Sequence, residues 1–169
     1  MNLIIHDMEK AHFEALFPNI DKNAKIICDN GNIKSCIGCF GCWIKTPGRC
    51  VIHDGYENTG SDFSKADNVI VISKCTYGSY SPFIKNVLDR ALSYMLPSFE
   101  IINNETHHKQ RYKRTFHYHV FFYGNDITEE EKATAEKLVQ ANSINYHVKS
   151  FEVHFFNSAD ALCGKVESL

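Results

Sequence analysis

Residues 69–72 read Val69-Ile70-Val71-Ile72, four β-branched residues in succession, with polar Asn68 and Ser73 at the two ends. β-Branched side chains favour extended backbone, and a run apolar at every position needs cover on both faces. A central strand of a parallel sheet meets that demand. An edge strand or an amphipathic helix does not.

Shorter segments fit around this strand. Leu3-Ile4-Ile5, Lys25-Ile26-Ile27-Cys28, Thr115 to Tyr123 and Phe151 to Phe156 each read as extended, with helical spacing between them. Met8, Ala11, Phe13 and Leu16 mark a helix over 8–17 that Pro18 stops, and 54–66 reads as a surface helix. Ser81-Pro82 opens a helix through about Tyr94, with Phe83, Val87, Leu88 and Ala91 facing inward. Thr128, followed by Glu129, Glu130 and Glu131, reads as a capped start for a helix to about Ala141. Residues 98–113 are polar and aperiodic, a surface excursion, and 158–169 reads as a short closing helix. Five strands alternating with helices imply an α/β fold with a parallel sheet covered on both sides. The 169 residues show no internal repeat or linker, so a single domain over 1–169 is expected.

A formal net charge of −2 gives no basis for nucleic-acid binding. The local basic group Lys109, Arg111, Lys113 and Arg114 is explained as a solvated loop or strand edge. The N-terminus lacks the basic and apolar regions of a signal peptide, and no apolar run approaches membrane-spanning length. A cytoplasmic, reducing location with no membrane partner is expected. There, clustered cysteines bind metal or do redox work more often than they form disulfides.

Four of the seven cysteines fall in the loop 30–54, at Cys36, Cys39, Cys42 and Cys50. Short spacings suit a [4Fe-4S] centre, which needs four thiolates at the corners of a compact cube. Zinc also accepts four thiolates, although its ligand pairs are usually further apart in sequence. Free thiols packed in a loop are the third reading. Gly38 and Gly41 allow a tight loop whatever it holds, and Phe40 and Trp43 beside them suit stacking on a planar ring ligand, lining a dimer contact, or core or interface packing.

Three segments together resemble the iron–sulfur flavoprotein and NAD(P)H-dependent FMN reductase branch of the flavodoxin-like proteins. They are Cys36-x-Gly38-Cys39-x-x-Cys42 with Gly48-Arg49-Cys50-Val51-Ile52-His53-Asp54, then Ala66 to Ser73 leading into Tyr77-Gly78-Ser79-Tyr80-Ser81, then Ile84-Lys85-Asn86-Val87-Leu88-Asp89-Arg90. The resemblance spans residues 36–90. It implies a flavodoxin-like three-layer sandwich with strand order 2-1-3-4-5, FMN at the carboxyl edge of the sheet, NAD(P)H as electron donor, a small-molecule or protein acceptor, and a homodimer. It also implies a [4Fe-4S] cluster on the four cysteines. The cofactor would lie against Cys75, Thr76, Tyr77, Gly78 and Ser79 on one side and Tyr123, Gly124 and Asn125 on the other. No side chain reads as a catalytic acid or base, and flavin electron transfer requires none.

One departure stands out. The turn after the first strand reads His6-Asp7-Met8-Glu9, with two carboxylates where a flavin phosphate would dock. A non-catalytic flavodoxin-like partner or structural subunit is therefore the alternative. Elsewhere, Lys85, Asp89 and Arg90 read as a helix ion-pair set. His117 and His119 share one strand face without an identifiable third metal ligand.

Overall fold

The computed structural model describes residues 1–166. Strands β1 (Asn2–His6), β2 (Lys25–Ile27), β3 (Asn68–Lys74), β6 (His117–Tyr123) and β7 (Ser150–Phe156) form one parallel sheet in the order β2-β1-β3-β6-β7. With the separate antiparallel hairpin of β4 (Met95–Ile102) and β5 (Glu105–Gln110) set aside, this is the expected 2-1-3-4-5 order of a flavodoxin-like sandwich. Val69, Ile70, Val71 and Ile72 are each 0% exposed, as a central strand requires.

Successive side chains of a strand face opposite sides, so the sheet feeds two apolar layers. Leu3, Ile5, Val69 and Val71 pack with Phe63 of α3 (Thr59–Lys65), Ile84 and Val87 of α4 (Pro82–Arg90), and Val139 of α5 (Glu129–Asn145). On the other side, Ile4, Ile70, Ile72 and Phe121 meet Phe13 of α1 (Lys10–Leu16), together with Phe17 and Leu162. Each fully buried Leu, Ile or Phe stabilises the fold by about 1.5–3 kcal/mol.

Several boundaries move for identifiable reasons. The helix expected over 54–66 begins only at Thr59, because Asp54 and Tyr56 form a turn in which the Asp54 carboxylate accepts from the Tyr56 amide. The helix after Pro82 closes at Arg90 and continues to Tyr94 as a 3-10 turn. Thr128 accepts from the Glu131 amide while Glu131 reaches back to the Thr128 amide, completing the expected capping box, and α5 runs on to Asn145. The excursion at 98–113 is largely hairpin: β4 and β5 turn at Asn103 and Asn104, both at positive φ (52° and 66°). Asn tolerates that left-handed region, and the ribbon has no apolar core face to betray it in sequence. The closing helix expected over 158–169 appears as one 3-10 turn, Asp160–Leu162, and its last three positions lie outside the described residues.

Lys85 and Asp89 pair on the surface of α4 as expected, but Arg90 does not join them. Its side chain is wholly buried, and its two terminal nitrogens donate to the two oxygens of Asp54 at 2.7 and 3.0 Å. The same nitrogens donate to the carbonyls of Lys34 (2.8 Å) and Ile52 (3.0 Å). One guanidinium thus ties both ends of the cysteine loop to α4.

Candidate ligand site at the carboxyl edge of the sheet

In open parallel sheets ligands bind beyond the carboxyl ends of the strands, where the strand order reverses, which here is between β1 and β3. Asp7 follows β1 at that point. Its amide donates to the Ile72 carbonyl (3.3 Å), and its carboxylate accepts from the Lys74 amide (2.8 Å) and the Tyr123 hydroxyl (2.8 Å). Three strand ends are therefore bridged by one carboxylate. Burial, reinforced by the Asp7 charge, pushes the Tyr123 hydroxyl far above its ordinary pKa, so it remains a donor to Asp7 at neutral pH.

Before Asp7, His6 is 1% exposed, and its ring stacks on Phe13 at 3.9 Å with planes 2° apart. Burial lowers its pKa to about 4 against a weaker opposing contact with the Met8 backbone, so the ring is neutral at pH 7. Beyond Glu9, α1 starts without a side-chain cap and has seven residues. The turn carries the carboxylates of Asp7 and Glu9 and no hydroxyl side chain.

The turn after β3 is tight. Thr76 and Ser79 exchange backbone hydrogen bonds at 2.9 and 3.0 Å, and Tyr77 and Gly78 between them sit at φ 53° and 70°. This geometry thrusts the Tyr77 ring outward to 90% exposure. Gly78 is required on two counts: its φ is left-handed, and a Cβ there would lie 2.8 Å from both the Glu131 carbonyl oxygen and Thr134 Cβ. Burial raises the Cys75 pKa, partly opposed by the Gly78 amide. The Ser81 amide donates to Ser73 Oγ at 2.9 Å, fastening the start of α4 to the end of β3.

On the far side, Tyr123 leads into Gly124-Asn125-Asp126, and the Gly124 amide donates to the Phe156 carbonyl at 3.0 Å. Between the two turns lie two clefts of about 610 and 580 Å³, which share Lys74, Cys75, Tyr123 and Glu131. Each is of small-ligand size. The structure thus brings Cys75, Thr76, Tyr77, Tyr123, Gly124 and Asn125 to one edge, with Gly78 and Ser79 shaping the turn. Asp7, expected from sequence where a flavin phosphate would dock, lines one cleft, while Glu131 and Ser158 also line the clefts without a signal in the sequence.

The cysteine loop lies elsewhere. Cys36 and Cys39 are exposed, Cys42 is half-buried and Cys50 is buried. Burial raises the Cys42 pKa, and the charges of Cys50, Cys36 and Cys39 add to the shift, so the four thiols share a neighbourhood. Yet among the described residues no three His, Cys, Asp or Glu side chains are arranged to hold a metal ion. The backbone explains this. Cys42 is turned into the short helix α2 (Gly41–Ile44), while Cys50 is held by its amide bond to the Glu57 carbonyl at 2.9 Å. As they stand, the four cysteines do not fit a cluster or a tetrahedral zinc. Phe40 and Trp43 stack at 5.4 Å, and Trp43 donates to the Met95 carbonyl, so they join the loop to the hairpin rather than to the clefts.

His117 and His119 are both engaged. His117 lies 2.7 Å from Ser150 Oγ, and His119 lies 3.4 Å from a Glu152 oxygen that His154 approaches to 3.3 Å. Burial lowers the His119 pKa, against the Glu152 charge.

No protein-family model matches the chain, and no curated protein matches it in sequence. Solved structures do share its fold. An azoreductase from Bacillus anthracis str. Sterne superposes with a TM-score of 0.57 at 11% identity, covering 99% of this chain and 91% of that one. An FMN-dependent NADH-azoreductase from Bacillus anthracis str. Ames Ancestor, in complex with FMN, gives 0.55 at 9% identity over 92% and 87% of the two chains. Azoreductase AzrA gives 0.55 at 10% identity over 99% and 91%. The likeness is one of fold, and it agrees with the flavodoxin-like topology of the sheet.

Proposed function

We propose that this chain is a flavin-dependent oxidoreductase that holds an isoalloxazine ring in the joined clefts at the carboxyl edge. Electrons would pass from NADH or NADPH to a small-molecule or protein acceptor. The observation that carries this reading is the position of the clefts. They open at the β1/β3 switch point between the Tyr77 turn and the Tyr123–Asp126 turn, in a fold shared with an FMN-dependent NADH-azoreductase.

When bound, the flavin supplies the hydride and electron chemistry. The chain's own residues bind and orient. Tyr77 offers an exposed aromatic face, Gly78 fixes the turn that carries it, and half-buried Cys75 forms part of the floor between the two clefts. The ring half of FMN finds surfaces here. Its phosphate half does not, because the turn at residues 7–9 sets the Asp7 carboxylate where the phosphate would dock. The cysteine loop does not fit a cluster, and no step is routed through one.

The reading includes a cytoplasmic homodimer. Exposed Ile37, Phe40, Ile44, Phe99 and Ile101 support it as apolar surface that a second copy would cover. The rival, a non-catalytic partner subunit, draws on the closed Asp7 network, in which every strand end at the switch point is already bridged.

An assay of the purified protein separates the two. With added flavin, NADH or NADPH and an azo dye or quinone, the enzyme reading expects a perturbed flavin spectrum and protein-dependent nicotinamide oxidation. An unperturbed flavin spectrum together with no oxidation would leave the partner-subunit reading standing.

A further inference from the structure

The carboxylate of Asp7 lies at the switch point where a flavin phosphate would be received, and two donors from the neighbouring strands are already turned to it. The Lys74 amide donates to one oxygen and the Tyr123 hydroxyl to the other, both at 2.8 Å. These contacts come from β3 and β6, so the carboxylate is fixed by the sheet itself and not by a mobile loop. Among the described residues lining the two clefts, Lys74 is the one cation, against Asp7, Asp126 and Glu131. Glu9, the residue before α1, makes no side-chain capping bond. A phosphate dianion entering this turn would meet like charge, and the Lys74 amide is already engaged by Asp7.

We infer that this site selects a flavin without a phosphate, riboflavin, in preference to FMN, with Asp7 standing in the phosphate's place. The inference rests on the flavin reading above and narrows it to one form of the cofactor. The chemistry is complementary in a second way. A phosphate group brings only acceptors at neutral pH, whereas a ribityl chain ends in a hydroxyl that can donate. Each Asp7 oxygen accepts one hydrogen bond from the protein and keeps a lone pair for another. A donor from the ligand is welcome where an acceptor is not.

The test is a pair of fluorescence-quenching titrations of the full chain, one with riboflavin and one with FMN. Riboflavin is expected to bind tighter by about tenfold or more, as an unscreened like-charge contact near the protein surface would produce. In Asp7→Asn, which loses the charge, the preference for riboflavin over FMN is expected to shrink by about tenfold. If that variant does not fold, salt provides the readout on the native chain: FMN should bind more tightly at high salt and riboflavin should not change. FMN binding as tightly as riboflavin, or weakening as salt rises, overturns this inference and leaves the flavin reading intact. Failure of both flavins to bind overturns the flavin reading together with it.

Discussion

The carboxyl edge and the cysteine loop each gather reactive side chains, and they are built in opposite ways. At the edge, position comes from the sheet. Asp7, Cys75 and Tyr123 each lie next to a residue in the parallel ladder, so the β1, β3 and β6 register sets where they point. In the cysteine loop, residues 30–58 contain one four-residue helix and no strand, and position comes from a few side-chain clamps. The chief clamp is Arg90 on Asp54. Repeating residues along a chain therefore bring thiols into one neighbourhood without arranging them to receive a metal. Alignment at the edge needed no motif at all.

Removing the clamp should have the largest effect. Arg90→Met leaves Asp54 buried without its partner, and a loss of about 3–5 kcal/mol in urea unfolding is expected. Faster amide exchange at 33–54 should accompany it, with little change at 74–79. A loss below about 1 kcal/mol would mean that the loop is held by something else. At the edge, Gly78→Ala forces a Cβ against Glu131 and Thr134 at a left-handed φ. About 1–3 kcal/mol of destabilisation and weaker flavin binding are expected, with no change in thiol reactivity at Cys36 or Cys39. Equal disturbance of both regions would deny that they are independent.

Acid should separate the regions by pH. His6 is neutral in the fold with a pKa near 4, below the ordinary value of 6.5, because it is buried. The unfolded chain therefore takes up that proton first. Stability from His6 is full above about pH 6.5 and falls as pH drops toward 4. Asp54 behaves otherwise. Burial alone would raise it, but Arg90 and the Lys34 and Tyr56 amides hold it to about 2. Glu57 is also held to about 2, by its own backbone amide first and by Arg49 in addition. Their contribution persists to about pH 4 and is lost between 4 and 2. Stability curves should thus show an upper step that His6→Phe reduces and a lower step that Arg90→Met reduces, the Glu57 part of the lower step remaining. A single step, unaltered by either change, would contradict the assignment.

The smallest effects belong to the exposed thiols. Cys36→Ser and Cys39→Ser should each change stability by less than about 0.5 kcal/mol, since neither side chain is buried. A larger loss, or bleaching of a coloured centre in protein purified without air, would show that the thiols converge on a metal after all.

Much of the fold was legible from local pattern. The all-apolar run at 69–72 could only be a central strand, and the Thr128 to Glu131 capping box announced α5. The hairpin at β4 and β5 was not legible, because its inward positions include the polar Glu100 and His107, so burial alternates without an apolar alternation in the sequence. Nor could Arg90 be separated from Lys85 and Asp89 on a helix surface. Its partner Asp54 lies far away in sequence, and only the tertiary fold brings them together. At the candidate site, the turns after the third and fourth core strands were found because ligands collect at strand ends. That Tyr123 and Lys74 both serve Asp7 was invisible, since neither a hydroxyl's direction nor an amide's spare donor is written in residue spacing.

The contrast between the two regions can be tested in one experiment: hydrogen–deuterium exchange of the full chain with and without riboflavin. The account predicts slower exchange at residues 74–79 and 123–127 on adding the flavin, with 36–50 unchanged. Protection confined to the cysteine loop, or none at the carboxyl edge at saturating flavin, would contradict it.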